Sequence, residues 1–166
     1  QKAISLKPDF ADAHNNLGNL FRETGNLEQA VANYQTALEI QPNYAETHNN
    51  LGTAFRSLGK MDEALNSYRK ALAIRPNYAE AHYSLGILFR NLGKIDSAMA
   101  SCQKALSIKP DFLDALCYIA RLGNNTKENN YIERLEAIYK KSEISKKHKI
   151  LVAFSLGKSL EDVKDY

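Results

Sequence analysis

The sequence predicts an all-α solenoid, a right-handed superhelix of antiparallel helix pairs, and three observations predict it. Pro8, Pro42, Pro76 and Pro110 stand 34 residues apart, a period that marks stacked helical repeats. Small residues recur in the same register at Gly18, Gly52 and Gly86, at Gly25, Gly59 and Gly93, and at Ala30, Ala64 and Ala98. Large apolar residues recur with them, at Leu17, Leu51 and Leu85 and at Phe21, Phe55 and Phe89. A unit that repeats both its small and its large positions buries one face against its neighbours.

Taken in order, residues 1–10 parallel the end of each later unit and are expected to be the last turns of a preceding second helix, helix B. Residues 11–44, 45–78 and 79–112 are three complete units, aligned without a gap. Each begins with a helix A, for which Asn43 and Asn77 read as N-caps with Glu46 and Glu80 three residues on, and Asp9 with Asp12 as the same pattern. Gly25, Gly59 and Gly93 supply a positive φ at the end of helix A. Helix B follows, as in Ala30, Tyr34, Ala37 and Leu38, and stops before the next proline, which drives the residue ahead of it out of the α region. A glycine inside helix A costs about 1 kcal/mol relative to alanine, so Gly18, Gly52 and Gly86 imply a close approach of helix B. The helix pairs are therefore expected near 11–41, 45–75 and 79–109. Residues 113–149 form a degenerate pair, with DALCYIARL as helix A, a polar loop GNNTKENN and YIERLEAIYKK as helix B. Residues 150–166 start a further helix A, as though the sequence were a piece of a longer array.

The pattern L-G-x-x-F followed by G, A, an aromatic, A and P at this period resembles the tetratricopeptide repeat (TPR) family over three units. His14, His48 and His82 replace a tryptophan common there, and Cys102 replaces the tyrosine at Tyr34 and Tyr68. The resemblance implies protein recognition by a concave groove. It extends to the TPR arms of O-linked N-acetylglucosamine transferases, whose peptide-holding asparagine ladder is matched by Asn16 and Asn50 and interrupted at Ser84 and Tyr118. The tail FSLGKSLEDVKDY is similar to the segment leading into the catalytic domain of bacterial TPR-sulfotransferase proteins. The carboxylate clamp of chaperone-binding TPR domains is matched only at Asn19 and Asn50. Its three cations are replaced by Asn15, Glu80 and Ser84, so that clamp is absent.

Composition narrows the function classes. The 166 residues are 44% hydrophobic and 25% charged, with mean hydropathy −0.44. No apolar run approaches the ~20 residues that span a bilayer, so no membrane partner is expected. With 22 Lys+Arg against 19 Asp+Glu the net charge is +3, short of a nucleic-acid binder's basic footprint, and nucleic acid is disfavoured as a partner. Cys102 and Cys117 fit no disulfide framework or metal spacing and read as buried small hydrophobes in a reducing, cytoplasmic setting. The basic run at Lys140, Lys141, Lys146, Lys147, His148 and Lys149 reads as a solvated helix end and loop.

Several motifs are discarded on spacing. His14, His48 and His82 lie on successive helices about 8–10 Å apart, too far to converge on one metal whose Zn–N bonds are about 2 Å; they are read as packing between helices A and B. Gly52 to Lys60, Gly86 to Lys94 and Gly157-Lys158-Ser159 lack the phosphate-loop spacing. Asn124-Asn125-Thr126 spells a glycosylation sequon that the cysteine reading sets aside. No catalytic constellation and no cofactor are expected. The exposed face of helix A remains: residues three, seven and ten apart share one side, which groups Asp12, Asn15, Asn19 and Arg22, then Glu46, Asn49, Thr53 and Arg56, then Glu80, Tyr83, Ile87 and Arg90. The peptide-groove residues are thus expected to be Asn15, Asn16, Asn19, Arg22, Asn49, Asn50, Arg56, Tyr83 and Arg90. A protein or peptide segment is the expected partner; the alternative is the N-terminal substrate- or partner-recruiting arm of a larger sulfotransferase- or glycosyltransferase-type protein. Apolar residues Leu151, Phe154, Leu156 and Leu160 are expected to be exposed and to favour self-association.

Overall fold

A computed structural model describes residues 2–122, 131–140 and 145–164, and among these every regular element is a helix. The first three pairs are α1 (Lys2–Glu23) with α2 (Leu27–Ile40), α3 (Ala45–Ser57) with α4 (Met61–Ile74), and α5 (Ala79–Asn91) with α6 (Ile95–Ile108). They are followed by α7 (Leu113–Ala120), α8 (Tyr131–Tyr139) and α9 (Lys146–Lys164). Each B helix also packs on the next A helix, α2 on α3, α4 on α5 and α6 on α7. Among the described residues α1 touches α3 and α3 touches α5, while any contact among α2, α4 and α6 is slighter. Helices that approach closely lie on the inner arc of a curved stack, so α1, α3 and α5 line its concave side. No described helix is long and apolar enough to cross a membrane.

The glycines act as the period implies. Gly25, Gly59 and Gly93 have φ of 81°, 76° and 72°. Around each, the N–H three residues past the helix bonds back in a Schellman motif, Asn26 to Phe21 O at 2.8 Å, Lys60 to Phe55 O at 2.9 Å and Lys94 to Phe89 O at 2.8 Å. Inside helix A, a Cβ on Gly18 would stand 2.6 Å from Cε1 of Tyr34, and one on Gly52 2.7 Å from Cε1 of Tyr68. At Gly86 it would meet Cys102 Sγ at 2.5 Å and the Ala98 carbonyl oxygen at 3.1 Å. The buried ring or thiol of helix B therefore occupies the space a side chain would need.

Four expectations are corrected. Asn43 and Asn77 are not N-caps: α3 and α5 begin at Ala45 and Ala79, with Tyr44 and Tyr78 in the flanking position and no side-chain cap. The Pro-Asn pair is used up by the interhelix turn. Tyr44 instead ties back to the preceding unit, its hydroxyl donating to Asp12 Oδ1 at 2.7 Å, and Glu46 and Glu80 remain in the first turns, where they complement the helix dipole. Second, α1 runs straight through Pro8. The later prolines instead follow the end of a B helix and turn the chain. Third, α9 starts at Lys146, so much of the basic run is helical. Ser145 caps it by accepting the His148 N–H at 3.3 Å. Fourth, Leu151 and Leu156 are packed against the core instead of exposed, whereas Phe154 and Ile150 face solvent. The loop GNNTKENN with its sequon, Lys141 and the Leu160 side chain lie outside the described residues.

α7 is the centre of the largest core. Ala115, Leu116, Cys117, Tyr118, Ile119 and Ala120 are all buried, enclosed by α6, α8 and α9. Ser159 closes this end, its hydroxyl donating to the Ala120 carbonyl at 3.0 Å, so the serine of the phosphate-loop look-alike is spent on a helix terminus. The histidines also have local duties. Nε2 of His48 donates to the Pro42 carbonyl at 2.9 Å, Nε2 of His82 to that of Pro76 at 3.0 Å, and Nδ1 of His14 to Asn33 Oδ1 on helix B at 3.0 Å. Two therefore latch the proline turn to its helix A, and the third joins A to B.

Candidate functional site

The predicted groove residues divide by register. Asn15, Asn49 and Tyr83 stand 34 residues apart on α1, α3 and α5 and are drawn into the seams between successive A helices. Asn15 is 1% exposed. Its Oδ1 accepts from the Thr47 hydroxyl and from Asn50 Nδ2, both at 3.1 Å. Asn49 is also buried, yet its Oδ1 has no donor. The reason lies one unit on, where Thr47 and Asn50 are succeeded by Ala81, which has no hydroxyl, and by the shorter Ser84. At the third seam Tyr83 replaces the amide and packs edge-on against Phe112 and Tyr118, ring centroids 5.2 and 5.7 Å away. The seam turns from polar to aromatic along the array, and Asn15 and Asn49 are not on the open face that their spacing implied.

Asn19 is half-committed as well. It accepts the Tyr34 hydroxyl at 2.8 Å, and one unit later the hydroxyls of Thr53 and Tyr68 meet at 3.2 Å. In the third unit the tyrosine becomes Cys102 and its partner becomes Ile87, so the polar contact is lost from both sides together. Asn16 is exposed, and Asn50 retains a second amide hydrogen and its carbonyl after bonding Asn15.

Arg22, Arg56 and Arg90 occupy the last turns of α1, α3 and α5. A cation there offsets the carbonyl end of the helix dipole, which gives the stripe a structural role. That role leaves something unspent: the Nε donors of Arg22 and Arg56 are buried without a hydrogen-bond partner. Burial raises the proton affinity of the Tyr34 hydroxyl, and the Arg22 charge opposes it, which places that guanidinium beside the A/B contact.

Two cavities were not foreseen from the sequence. The larger, about 780 Å³, lies between α2 and α4 on the convex side, floored by Leu38, His48, Leu51, Phe55 and Ile74. It is the gap that curvature opens between B helices. The second, about 400 Å³, lies on the A-helix side and is lined by Arg90, Tyr118, Arg121, Leu122, Phe154 and Lys158. Arg121 falls in the register of Asn19, Thr53 and Ile87, so extending the face into the degenerate unit would have found it. Lys158 is reached the same way when Ser155-Leu156-Gly157 is laid on Ser84-Leu85-Gly86, which sets it at the position of Ile87.

Comparison with known proteins bears on the fold. The first TPR of Spaghetti (RPAP3) bound to the HSP90 peptide SRMEEVD superposes with a TM-score of 0.65 at 20% identity, covering 69% of this chain and 90% of that one. MamA gives 0.63 at 22%, covering 99% and 84%, and the Arabidopsis OM64 TPR domain gives 0.67 at 22%, covering 70% and 96%. No curated protein sequence matches the chain. Two family models described as tetratricopeptide repeat match residues 9–77 and 49–111. Together they run over more than half of the sequence, and with the helical hairpins, Schellman glycines and A/B contacts seen in the structure, the chain belongs to the tetratricopeptide repeat family.

Proposed function

We propose that the chain is a non-catalytic protein-interaction module that holds an extended peptide along its concave, A-helix face. Asn16 and Asn50 contact the peptide main chain, and Arg22, Arg56 and Arg90 contact its carbonyl or acidic groups. Asn15, Asn19, Asn49 and Tyr83 act behind that surface by setting the spacing of the A helices and the pose of Asn50. The observation that carries this reading is the pair of buried, unpartnered Nε donors of Arg22 and Arg56 at equivalent points of adjacent A helices. A buried donor left unmade costs about 1–3 kcal/mol, and a peptide acceptor relieves it. The Spaghetti TPR was solved with a peptide rich in acidic residues, which supports the same class of ligand here. The substrate- or partner-recruiting arm of a larger transferase would use the groove in the same way, with the chemistry done by a domain outside these residues.

The test is a titration of acidic, neutral and basic unstructured peptides of equal length, followed by backbone amide shifts. Shifts should gather at Asn16, Asn50, Arg22 and Arg56, with the acidic peptide tightest and weakened by salt. Changing Asn16 and Asn50 together to alanine should weaken binding roughly five- to a hundredfold, at about 0.5–1.5 kcal/mol per hydrogen bond. Equal affinity in a folded double variant, or shifts confined to the convex cavity around Leu38 and Ile74, would overturn the reading.

A further inference from the structure

The pocket where α5, α7 and α9 meet gathers three cationic donors, Arg90, Arg121 and Lys158. Arg90 enters from the last turn of α5, Arg121 follows the end of α7, and Lys158 projects from α9. Among the described residues no carboxylate lines it, and the ion pair found among them, Lys109 with Glu80, is not part of the pocket. Arg121 is fixed in place: its Nε donates to the Cys117 carbonyl at 3.2 Å, and its guanidinium carbon lies 5.7 Å from the Tyr118 ring centre and 6.0 Å from that of Phe154. A guanidinium held through Nε and its faces keeps its terminal nitrogens for a planar or tetrahedral oxyanion.

Tyr118 is the second, independent sign. It lines the pocket, is 9% exposed, and its buried hydroxyl finds no hydrogen-bond acceptor among the described residues. Beside burial, the groups that act on this hydroxyl are Arg90, the Cys102 thiol and Arg121, with no carboxylate among them. Arginine and lysine only donate, so none of the pocket's cations can take the tyrosine proton. One group satisfies all four donors at once, an oxygen anion. Gathering three like charges around an apolar-walled cavity is unfavourable in its own right, and an anion reverses that sign. Arg90 is also the last member of the Arg22, Arg56, Arg90 stripe, so the concave face leads into the pocket.

We propose that this pocket is an oxyanion site that receives a carboxylate or phosphoryl group carried by the peptide in the groove. The occupant rests on the groove reading, whereas the site rests on the pocket's own residues. A phosphoryl group carries about −1.5 to −2 charges against one for a carboxylate, so it is bound the more tightly of the two where both are offered.

The experiment uses inorganic phosphate and three short peptides identical except for one central residue, serine, glutamate or phosphoserine. Phosphate should shift the amides of Arg90, Arg121, Phe154 and Lys158, and the glutamate and phosphoserine peptides should bind about tenfold or more tighter than the serine peptide, less so at high salt. Tyr118→Phe keeps the ring and removes the orphaned hydroxyl. It should lower affinity for the charged peptides about three- to tenfold while the melting temperature holds or rises, and the exposed Lys158→Gln should do the same without touching the core. Tighter glutamate binding assigns a carboxylate ligand and tighter phosphoserine binding a phosphoryl ligand; either supports the site. Phosphate bound there with no peptide bound supports the site and sinks the groove reading. Three peptides of equal affinity, indifferent to both variants, overturn the site and leave the groove reading standing. Phosphate shifts at Lys140, Lys146 and Lys149 as large as those in the pocket also overturn it.

Discussion

Asn50 Nδ2 donates to Asn15 Oδ1 at 3.1 Å, across the seam between α1 and α3, and the Thr47 hydroxyl supplies a second donor to the same oxygen. An amide placed mid-helix by sequence is therefore part of the packing between repeats. Asn50→Ala alone should cost about 0.5–1.5 kcal/mol, because Thr47 still satisfies Asn15. Adding Thr47→Val strips both donors from a buried carbonyl and should bring the cost to about 1–3 kcal/mol. Urea denaturation of the single and double variants checks this. A double variant no less stable than the single one would mean the seam is not held by these bonds.

Glycines in helix interiors should respond with opposite signs. Gly52→Ala gains about 1 kcal/mol of helix propensity, yet its Cβ meets Tyr68 Cε1 at 2.7 Å, and overpacking of about 1–3 kcal/mol outweighs the gain. At Gly86 the neighbours include the backbone oxygen of Ala98, which cannot swing aside, so Gly86→Ala should cost at least as much. Gly157 in α9 has nothing within 4 Å of an added Cβ, and Gly157→Ala should raise stability by about 0.5–1 kcal/mol. Thermal melts that rank the three variants otherwise would contradict the close approach at the first two sites.

Alkaline pH should weaken the fold within a defined window. Burial pushes the Cys102 thiol from 9.0 up to about 12, and burial likewise raises Tyr78 and Tyr83 from 10.0 to about 12, aided by Glu46 and Glu80 at Tyr78 and by Asp114 at Tyr83. In that range the native chain keeps protons that the unfolded chain releases, so stability is whole below about pH 9 and falls as pH rises toward 12. Urea midpoints taken at intervals from pH 8 to 11 should decline, with a shallower slope for Cys102→Ala. A flat profile would show that these groups titrate in the native state as they do in water.

Apolar side chains remain in solvent at both ends of the array, Phe10, Leu17 and Leu20 on α1 and Ile150 and Phe154 on α9. Such surface favours association. Sedimentation velocity should show a concentration-dependent shift that Ile150→Ser reduces. Unchanged monomeric sedimentation up to high concentration would remove self-association from the picture.

The 34-residue period was enough to specify the helix hairpins, because local conformation and pairwise fit are encoded at each position. A glycine that adopts positive φ ends helix A, and a glycine facing a tyrosine sets the A/B distance, whatever lies elsewhere in the chain. The exchange of Asn19 and Tyr34 for Ile87 and Cys102 is legible in the same way once their contact is known. Period alone misassigned what depends on neighbours. Asn15 and Asn49 were placed on an open face since helical spacing reports direction around one helix and cannot report how near the next helix comes. Asn43 and Asn77 had the letters of N-caps, but the turn consumed them. Pro8 had the letters of a turn, but α1 continues through it. Periodicity marks Arg90 and Arg121 one at a time but does not show that they converge with Tyr118 and Lys158: the residues come from three helices, and only the packing of α9 on α7 brings their charges together. The sequence by itself determined the helices, their ends and their pairing, which are short-range consequences of backbone sterics and side-chain volume. The tertiary structure decided which polar groups are buried, which are satisfied and which are left for a ligand, because those depend on distances between helices far apart in the chain.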